Sequence, residues 1–368
     1  MMTNKERLLN RFLSYVQIDS ESGNELDMCN QVEKDLLEMG CKPERLKALG
    51  DTNGYNIEVC IDGDKSKEPL ILCAHVDTVT PGNGIKPVVC DDGYIRSSGD
   101  TILAADDKSG VSAIMEALQT VMENNISTRP LQIFFTIGEE TGMWGSRSID
   151  KERFKAKYAA VFDTSKAVGR IVTSSPGQMN LRAHIKGVAS HAGNAPEKGV
   201  SAIMAGARAI SKMKLFRVDE ETTANIGTFK AVGATNIISP DAELVFEMRS
   251  RSTEKLRAQA DHMVKCLKDT CDEMGAELTY ELKESYLGYS IPDDDPLVRE
   301  ILRCCDKIGV EGFTASTGGG SDANMLNSLG LTAVNVSTGM EGSHTLTEKI
   351  NIESFYKASD LILALMEG

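Results

Sequence analysis

Long apolar runs are missing from this chain. Nowhere among its 368 residues do about 18 consecutive apolar positions occur, so no membrane-spanning helix is expected. Positive charge is also in short supply: 40 Lys and Arg against 54 Asp and Glu leave a formal net charge of -14 at pH 7. Such a balance repels phosphate backbones and anionic lipid, which argues against nucleic acid or a membrane surface as partner and favours a small polar ligand or a metal cation. The nine cysteines form no CxxC pair, and most stand in apolar runs such as NIEVCI and LILCAH, where Cys acts as a small hydrophobe. Adjacent Cys304 and Cys305 read as helix packing. The N-terminus lacks the uncharged run and small-residue cleavage site of a signal peptide, so a reducing cytoplasm is the expected location.

Several catalytic signatures are absent as well. There is no GxSxG elbow, no HExxH, no Walker P-loop and no GxGxxG. The glycine-rich STGGGSDAN lacks the lysine and the spacing of a phosphate cradle; it reads as a tight turn before a helix, with Gly320 followed by Ser321 or Asp322 lining a site. No internal repeat or low-complexity segment occurs.

What is present organises itself into two domains. Helical periodicity over about residues 5–17 and 25–39 alternates with the strand-like runs YNIEVCI, LILCAH, LQIFFTI and YAAVFD, with a further helix after Asp107. That order predicts an α/β fold with helices on both sides of a mixed sheet. From about Gly177 the texture changes to the alternating runs MNLRAHIKG, AELVFEMRS and AELTYELKE, two helices and a glycine-punctuated stretch. Residues 177–286 therefore read as an inserted α+β domain, and 1–176 with 287–368 as the domain that receives it.

The chemistry-bearing residues lie where apolar strands run out. Residues two apart on a strand face the same way, so His75 and Asp77 in LILCAHVDT project together. A carboxylate on one imidazole nitrogen would fix the tautomer and make the other a better metal ligand, although a structural strand-end histidine remains the alternative on this fragment alone. Asp106 and Asp107 open a helix, where one acid is ordinarily a cap. Glu139 and Glu140 end LQIFFTIGEE, and Asp163 ends YAAVFD. His344 follows the last strand in a Gly-containing loop. All but His344 fall at strand C-termini or the following helix starts, where open α/β sheets gather ligands. Two histidines with several carboxylates and no cysteine suit zinc, cobalt or manganese, and one carboxylate can bridge an ion pair about 3.5–4 Å apart. A neighbouring carboxylate that is not a ligand can then shuttle a proton, and adjacent Glu139 and Glu140 can divide those two tasks.

The ordered set HVDT, ADDKSG, GEETG, FDTS, ASHAG and GSHTLTE resembles the M20 family of co-catalytic zinc peptidases, nearest to its peptidase T-like branch. The resemblance covers almost the whole chain, and it implies two divalent metal ions, zinc before cobalt or manganese. His75, Asp106 and Asp163 would hold one; Asp106, Glu140 and His344 the other; Asp77 would orient His75, and Glu139 would be the general base. It further implies a cis bond after Asp106, an inserted domain that serves as lid and pairs two subunits, and His191 as an oxyanion stabiliser. Asn236 and Arg249 match positions that bind substrate polar groups or its α-carboxylate, with a plain ion pair as the alternative for Arg249. His184 and His262 match nothing and read as structural. The chain departs from peptidase T at Gly138 and Thr164, which border the site. The activity implied is removal of the N-terminal residue of small peptides, tripeptides above all. A carboxypeptidase or N-acyl-amino-acid deacylase shares the same chemistry, and a non-catalytic metal- or peptide-binding dimer would have no use for Glu139.

Overall fold

The computed structural model describes residues 2–368, which fall into two compact units. The first runs to Thr173 and resumes over Ile291–Ser316 and Ser321–Gly368; the second comprises Ser174–Ser290 with Thr317–Gly320.

In the first unit the largely apolar, uncharged runs LILCAH and LQIFFT form strands Leu70–His75 and Leu131–Thr136, every residue of which is buried. Strands that are apolar on both sides need cover on both faces, which is the habit of parallel sheets. The strand order is Glu44–Leu46, Asn56–Ile61, Leu131–Thr136, Leu70–His75, Tyr158–Thr164, Thr332–Ser337, Arg170–Ser175. Leu70–His75 is parallel to both of its neighbours, and Thr332–Ser337 is parallel to Tyr158–Thr164. Four strands thus end on one edge of the sheet. The helix Ala105–Asn124 packs beneath this edge through Gly110, where a Cβ would run into the carbonyl oxygen of Phe162. The expected helices occur as Lys5–Tyr15 and Leu26–Glu38. Burying one Leu or Phe side chain of this core contributes about 1.5–3 kcal/mol.

A second, four-stranded sheet of the same unit was not expected. It joins Met340–Glu341, Lys349–Asn351, Tyr94–Ser97 and Pro87–Val89, all antiparallel. Its strands span two to four residues, too few for an alternation to register in the sequence. Its importance lies in the loop between the first two strands, which carries His344.

The second unit is an antiparallel sheet in the order Phe216–Arg217, Thr222–Lys230, Asp241–Ser250, Gly177–Lys186, Glu277–Tyr286. Alternate residues of the third and fourth strands, among them Leu244, Phe246, Leu181 and Ile185, are buried with Leu256, Met263 and Leu267 of helix Thr253–Met274. Helix Ala202–Lys212 adds Ala202, Ala205 and Ala209 to that core. The strand Thr222–Lys230 is absent from the sequence expectation, which has a glycine-punctuated stretch there; its register shifts between Ile226 and Thr228, around Gly227, so the alternation is broken by a bulge. Residues 317–320, which the sequence reading puts in the receiving domain, group with the second unit. Thr317 N donates to Ser174 O, and Ser175 Oγ and Arg249 Nη1 donate to the carbonyls of Gly319 and Gly318. Among the described residues no helix is long and apolar enough to cross a membrane.

Candidate metal centre

The sheet edge of the first unit brings His75, Asp106 and Asp163 together, and next to them Asp106, Glu140 and His344. Within each trio one ligand-type atom per residue lies within 4.8 Å of the others. Asp106 belongs to both. Its Oδ1 is 3.2 Å from His75 Nε2 and its Oδ2 is 3.4 Å from His344 Nε2. Asp163 Oδ1 stands 3.7 Å from the same His75 nitrogen, and Glu140 lies 2.9 Å from His344 Nε2. Asp163 is fixed through Asn335, which accepts from its backbone N at 2.9 Å and donates to its carbonyl at 2.7 Å. The Asp106–Asp107 peptide bond is cis.

Asp77 does more than the sequence suggested. His75 Nδ1 lies 3.0 Å from the Asp77 carbonyl and 3.3 Å from its Oδ1, which leaves Nε2 as the nitrogen facing Asp106 and Asp163. The two carboxylate oxygens of Asp77 also accept from the backbone N–H groups of Glu139, at 3.0 Å, and Glu140, at 3.2 Å, while Ser22 Oγ donates at 2.7 Å. One buried carboxylate therefore sets both the histidine and the paired glutamates. Asp107 is in neither trio; it accepts from the backbone N of His75 and of Gly110.

Electrostatics make the cluster costly as it stands. Burial pushes the carboxyls of Glu139, Asp163 and Asp107 well above the usual range, and the neighbouring acids push them further. Asp106 is held low: burial opposes this, but His344 and His75 outweigh it. His344 is pushed up to about 10 by Asp106 and Glu140. For His75 burial works downward, and Asp106, Asp163 and Asp77 overcome it. No Lys or Arg forms an ion pair with these acids among the described residues. Clustered carboxylates and imidazoles without a fixed cation, and without cysteine, make a donor set suited to divalent metal, so the residues fit such a pair.

Backbone conformation concentrates here too. Of six non-glycine residues at positive φ among the described residues, Ala104 (59°), Met143 (56°), Lys166 (83°) and His344 (64°) lie at or within three residues of Asp106, Glu140, Asp163 and His344. Each such residue costs on the order of 1 kcal/mol or more, which the surrounding packing must offset.

Two supporting residues, Trp144 and Glu348, escape a reading of the sequence, and a third, Asp322, has contacts that the reading did not foresee. Asp322, expected with Ser321 near a helix start lining the site, begins helix Asp322–Ser328 and is buried: it accepts from the hydroxyls of Thr136 and Ser146, which flank the Glu139–Glu140 loop. Trp144, the single tryptophan, packs over that loop; a Cβ on Gly138 would come within 2.8 Å of its ring. Glu348 accepts three backbone N–H groups around Asp106. Its signal was its place in GSHTLTE, four residues after His344.

The other expected site residues divide between the units. Ser321 caps helix Asp322–Ser328, its hydroxyl accepting from Ala323 N. Gly320 belongs to the second unit, where a Cβ would strike the ring of Tyr286. In that unit His191 and Asn236 are neighbours: Ala192 N donates to Asn236 O, and His191 bridges to Ile237. The exposed imidazole of His191 accepts at Nδ1 from Gly193 N and Asn194 N, which leaves Nε2 protonated and free to donate. Arg249 pairs with Glu247 at 3.1 Å. His184 pairs with Asp241, and His262 accepts from Lys214 N.

The same fold recurs in known proteins. The model of peptidase family M20/M25/M40 matches residues 71–368. An uncharacterized Bacillus subtilis protein, YqjE, is 38% identical across 100% of this chain and 99% of its own. The crystal structure of aminopeptidase PepT from Bacillus cereus superposes with a TM-score of 0.92 at 39% identity, covering 100% of this chain and 99% of that one. A tripeptidase from Staphylococcus aureus gives 0.96 at 36% identity with the same coverage of each chain.

Proposed function

Because the chain belongs to peptidase family M20/M25/M40 and is peptidase T-like, we propose that it is a dinuclear metal-dependent aminopeptidase that removes the N-terminal residue of small peptides, tripeptides first. The observation that carries this reading is Asp106, shared between two three-residue donor sets with Glu139 beside them. His75, Asp106 and Asp163 would hold one ion, and Asp106, Glu140 and His344 the second. Zinc suits the set best, ahead of cobalt and manganese. When bound, such a pair supplies Lewis acidity that lowers the pKa of a water and neutralises charge developing on the scissile carbonyl.

The chain's own residues do the rest. Asp77 keeps the Nδ1 proton on His75 and, through the backbone of Glu139 and Glu140, aims a proton acceptor and a ligand at one place. Glu139 takes a proton from the attacking water and returns it to the leaving amine. His191, with Nε2–H free, donates to the carbonyl oxygen as it gains charge, and Asn236 beside it holds a polar group of the substrate. Arg249 is assigned to the substrate carboxylate on the strength of its planar fork. The second unit serves as lid and pairs two subunits; Ile203 and Met204, exposed on helix Ala202–Lys212, provide an apolar face for that contact. Nine free thiols suit a cytoplasmic location.

The test is a mass-spectrometric time course of metal-loaded protein against free tripeptides, N-acetylated tripeptides and N-acyl amino acids. Loss of the first residue from free tripeptides, with the blocked substrates untouched, is expected. Cleavage of the blocked substrates would transfer the assignment to a carboxypeptidase or deacylase.

A further inference from the structure

Glu348 is 2% exposed and forms no ion pair among the described residues, yet it is surrounded by donors. Its Oε2 accepts from Leu103 N and Ala104 N, both at 2.8 Å, and its Oε1 accepts from Asp106 N at 2.9 Å. Ala104 is left-handed at φ 59°, and the N–H groups of Leu103, Ala104 and Asp106 turn inward around the carboxylate, a concave arrangement of the kind that backbone uses to bind anions. Here the anion is supplied by the chain itself.

The other end of Glu348 is equally specific. It closes the hairpin loop between Met340–Glu341 and Lys349–Asn351, in which Thr345 Oγ1 donates to Gly342 O and Glu348 N donates to Thr345 O. His344 sits in this loop with its side chain 53% exposed, held by no packing comparable to that of His75, which is 1% exposed. The loop is tied to the Asp106 backbone by Glu348. We propose that Glu348 is a positioning residue that sets the distance between His344 and Asp106, and so governs the second metal position selectively. This inference rests on the two-metal reading above. The first position depends on it less, because two of its three ligands, His75 and Asp163, lie on the strands Leu70–His75 and Tyr158–Thr164 away from the hairpin, and only Asp106 is shared with the second.

Glutamine is the informative replacement. Its carbonyl oxygen can still accept from Leu103 and Ala104, but its NH2 would then face the N–H of Asp106, donor against donor. The experiment is calorimetric titration of the chelator-treated full chain with Zn2+, comparing wild type, Glu348→Gln, His344→Ala and the double variant. Wild type should take two equivalents. Glu348→Gln should keep one equivalent at wild-type affinity and bind the second about 10- to 100-fold more weakly. The double variant should titrate as His344→Ala alone does, because both changes act on one ligand. Should Glu348→Gln not fold, Glu348→Asp keeps the charge and retracts it by one methylene, and the same selective loss is expected. A wild-type titration for a folded Glu348 variant, or equal weakening of both positions, overturns the inference. Fewer than two equivalents in wild type overturns the two-metal reading, and this inference with it.

Discussion

At the scale of single residues, the site is a case of one side chain serving two neighbours. Asp77 touches His75 and both backbone amides of the Glu139–Glu140 pair, so Glu139 is held by its main chain and its carboxylate is left free. Glu139→Gln is therefore expected to bind metal as wild type does and to lose about 10²- to 10⁴-fold in kcat. Metal analysis beside steady-state kinetics checks this, and an unchanged kcat would sink the assignment. His191→Ala addresses the second unit. Its Nδ1 only accepts from two loop amides, so the fold should survive, while kcat falls about 10²-fold or more and metal content stays the same. A loss of folded protein instead would make His191 a loop residue and nothing more. At this scale the sequence is most legible: residues two apart on a strand, or next to each other at a strand end, carry their geometry with them, so spacing alone pairs His75 with Asp77 and Glu139 with Glu140. Asp322 and Glu348 give no such signal. Their partners are 186 residues away at Thr136 and 242 residues away at Asp106, and no local spacing encodes such contacts.

At the scale of elements, what can be read is what repeats. The buried strands Leu70–His75 and Leu131–Thr136 announce themselves as largely apolar, uncharged runs, and Gly177–Lys186 and Asp241–Ser250 as alternations. The bulged strand Thr222–Lys230 and the hairpin that carries His344 do not, the one because its period slips at Gly227, the other because it is two or three residues long on each side. Between these extremes stands the loop Ile137–Trp144, which folds back on itself: Met143 N and Gly142 N donate to Glu139 O, and Trp144 N donates to Gly138 O. Gly138 has φ 61° and lies under the Trp144 ring, so a methyl there meets both a left-handed backbone and the indole. Gly138→Ala should displace the loop, costing about 1 kcal/mol or more in stability. It should also lower kcat, because Glu139 is the next residue. Since Trp144 is the only tryptophan, its emission reports this loop directly; a wavelength shift together with reduced turnover is expected, and an unshifted spectrum with full activity would show that the ring does not buttress the base.

At the scale of the whole molecule, the site concentrates part of a net charge of -14 into one sheet edge, and the consequence is a stability that depends on metal and pH together. Glu139, Asp163 and Asp107 have carboxyls raised by burial and by neighbouring acids, and His344 is raised to about 10 by Asp106 and Glu140. For groups whose folded-state pKa lies above the unfolded value, the folded state holds more protons, so their stabilisation is present at low pH and is lost as pH rises through the folded values. Asp106 has the opposite sign, but its window lies below the ordinary carboxylate range. Lys108, lowered to about 7 by burial, favours the fold as pH rises and acts chiefly above that value. Between pH 7 and 5.5 the acids and the histidine therefore dominate, and chelator-treated protein should become more stable as it is acidified. Bound divalent cations would replace those protons. Metal-loaded protein should accordingly be the more stable form at pH 7, by about 2.7 kcal/mol for each site at free metal a hundredfold above its Kd, and should lose that margin on acidification as protons compete for the same oxygens and nitrogens. Urea unfolding of both forms across this pH range measures the difference: two curves that converge toward pH 5.5 are expected. Curves that stay parallel would mean that the carboxylates are not what the metal relieves.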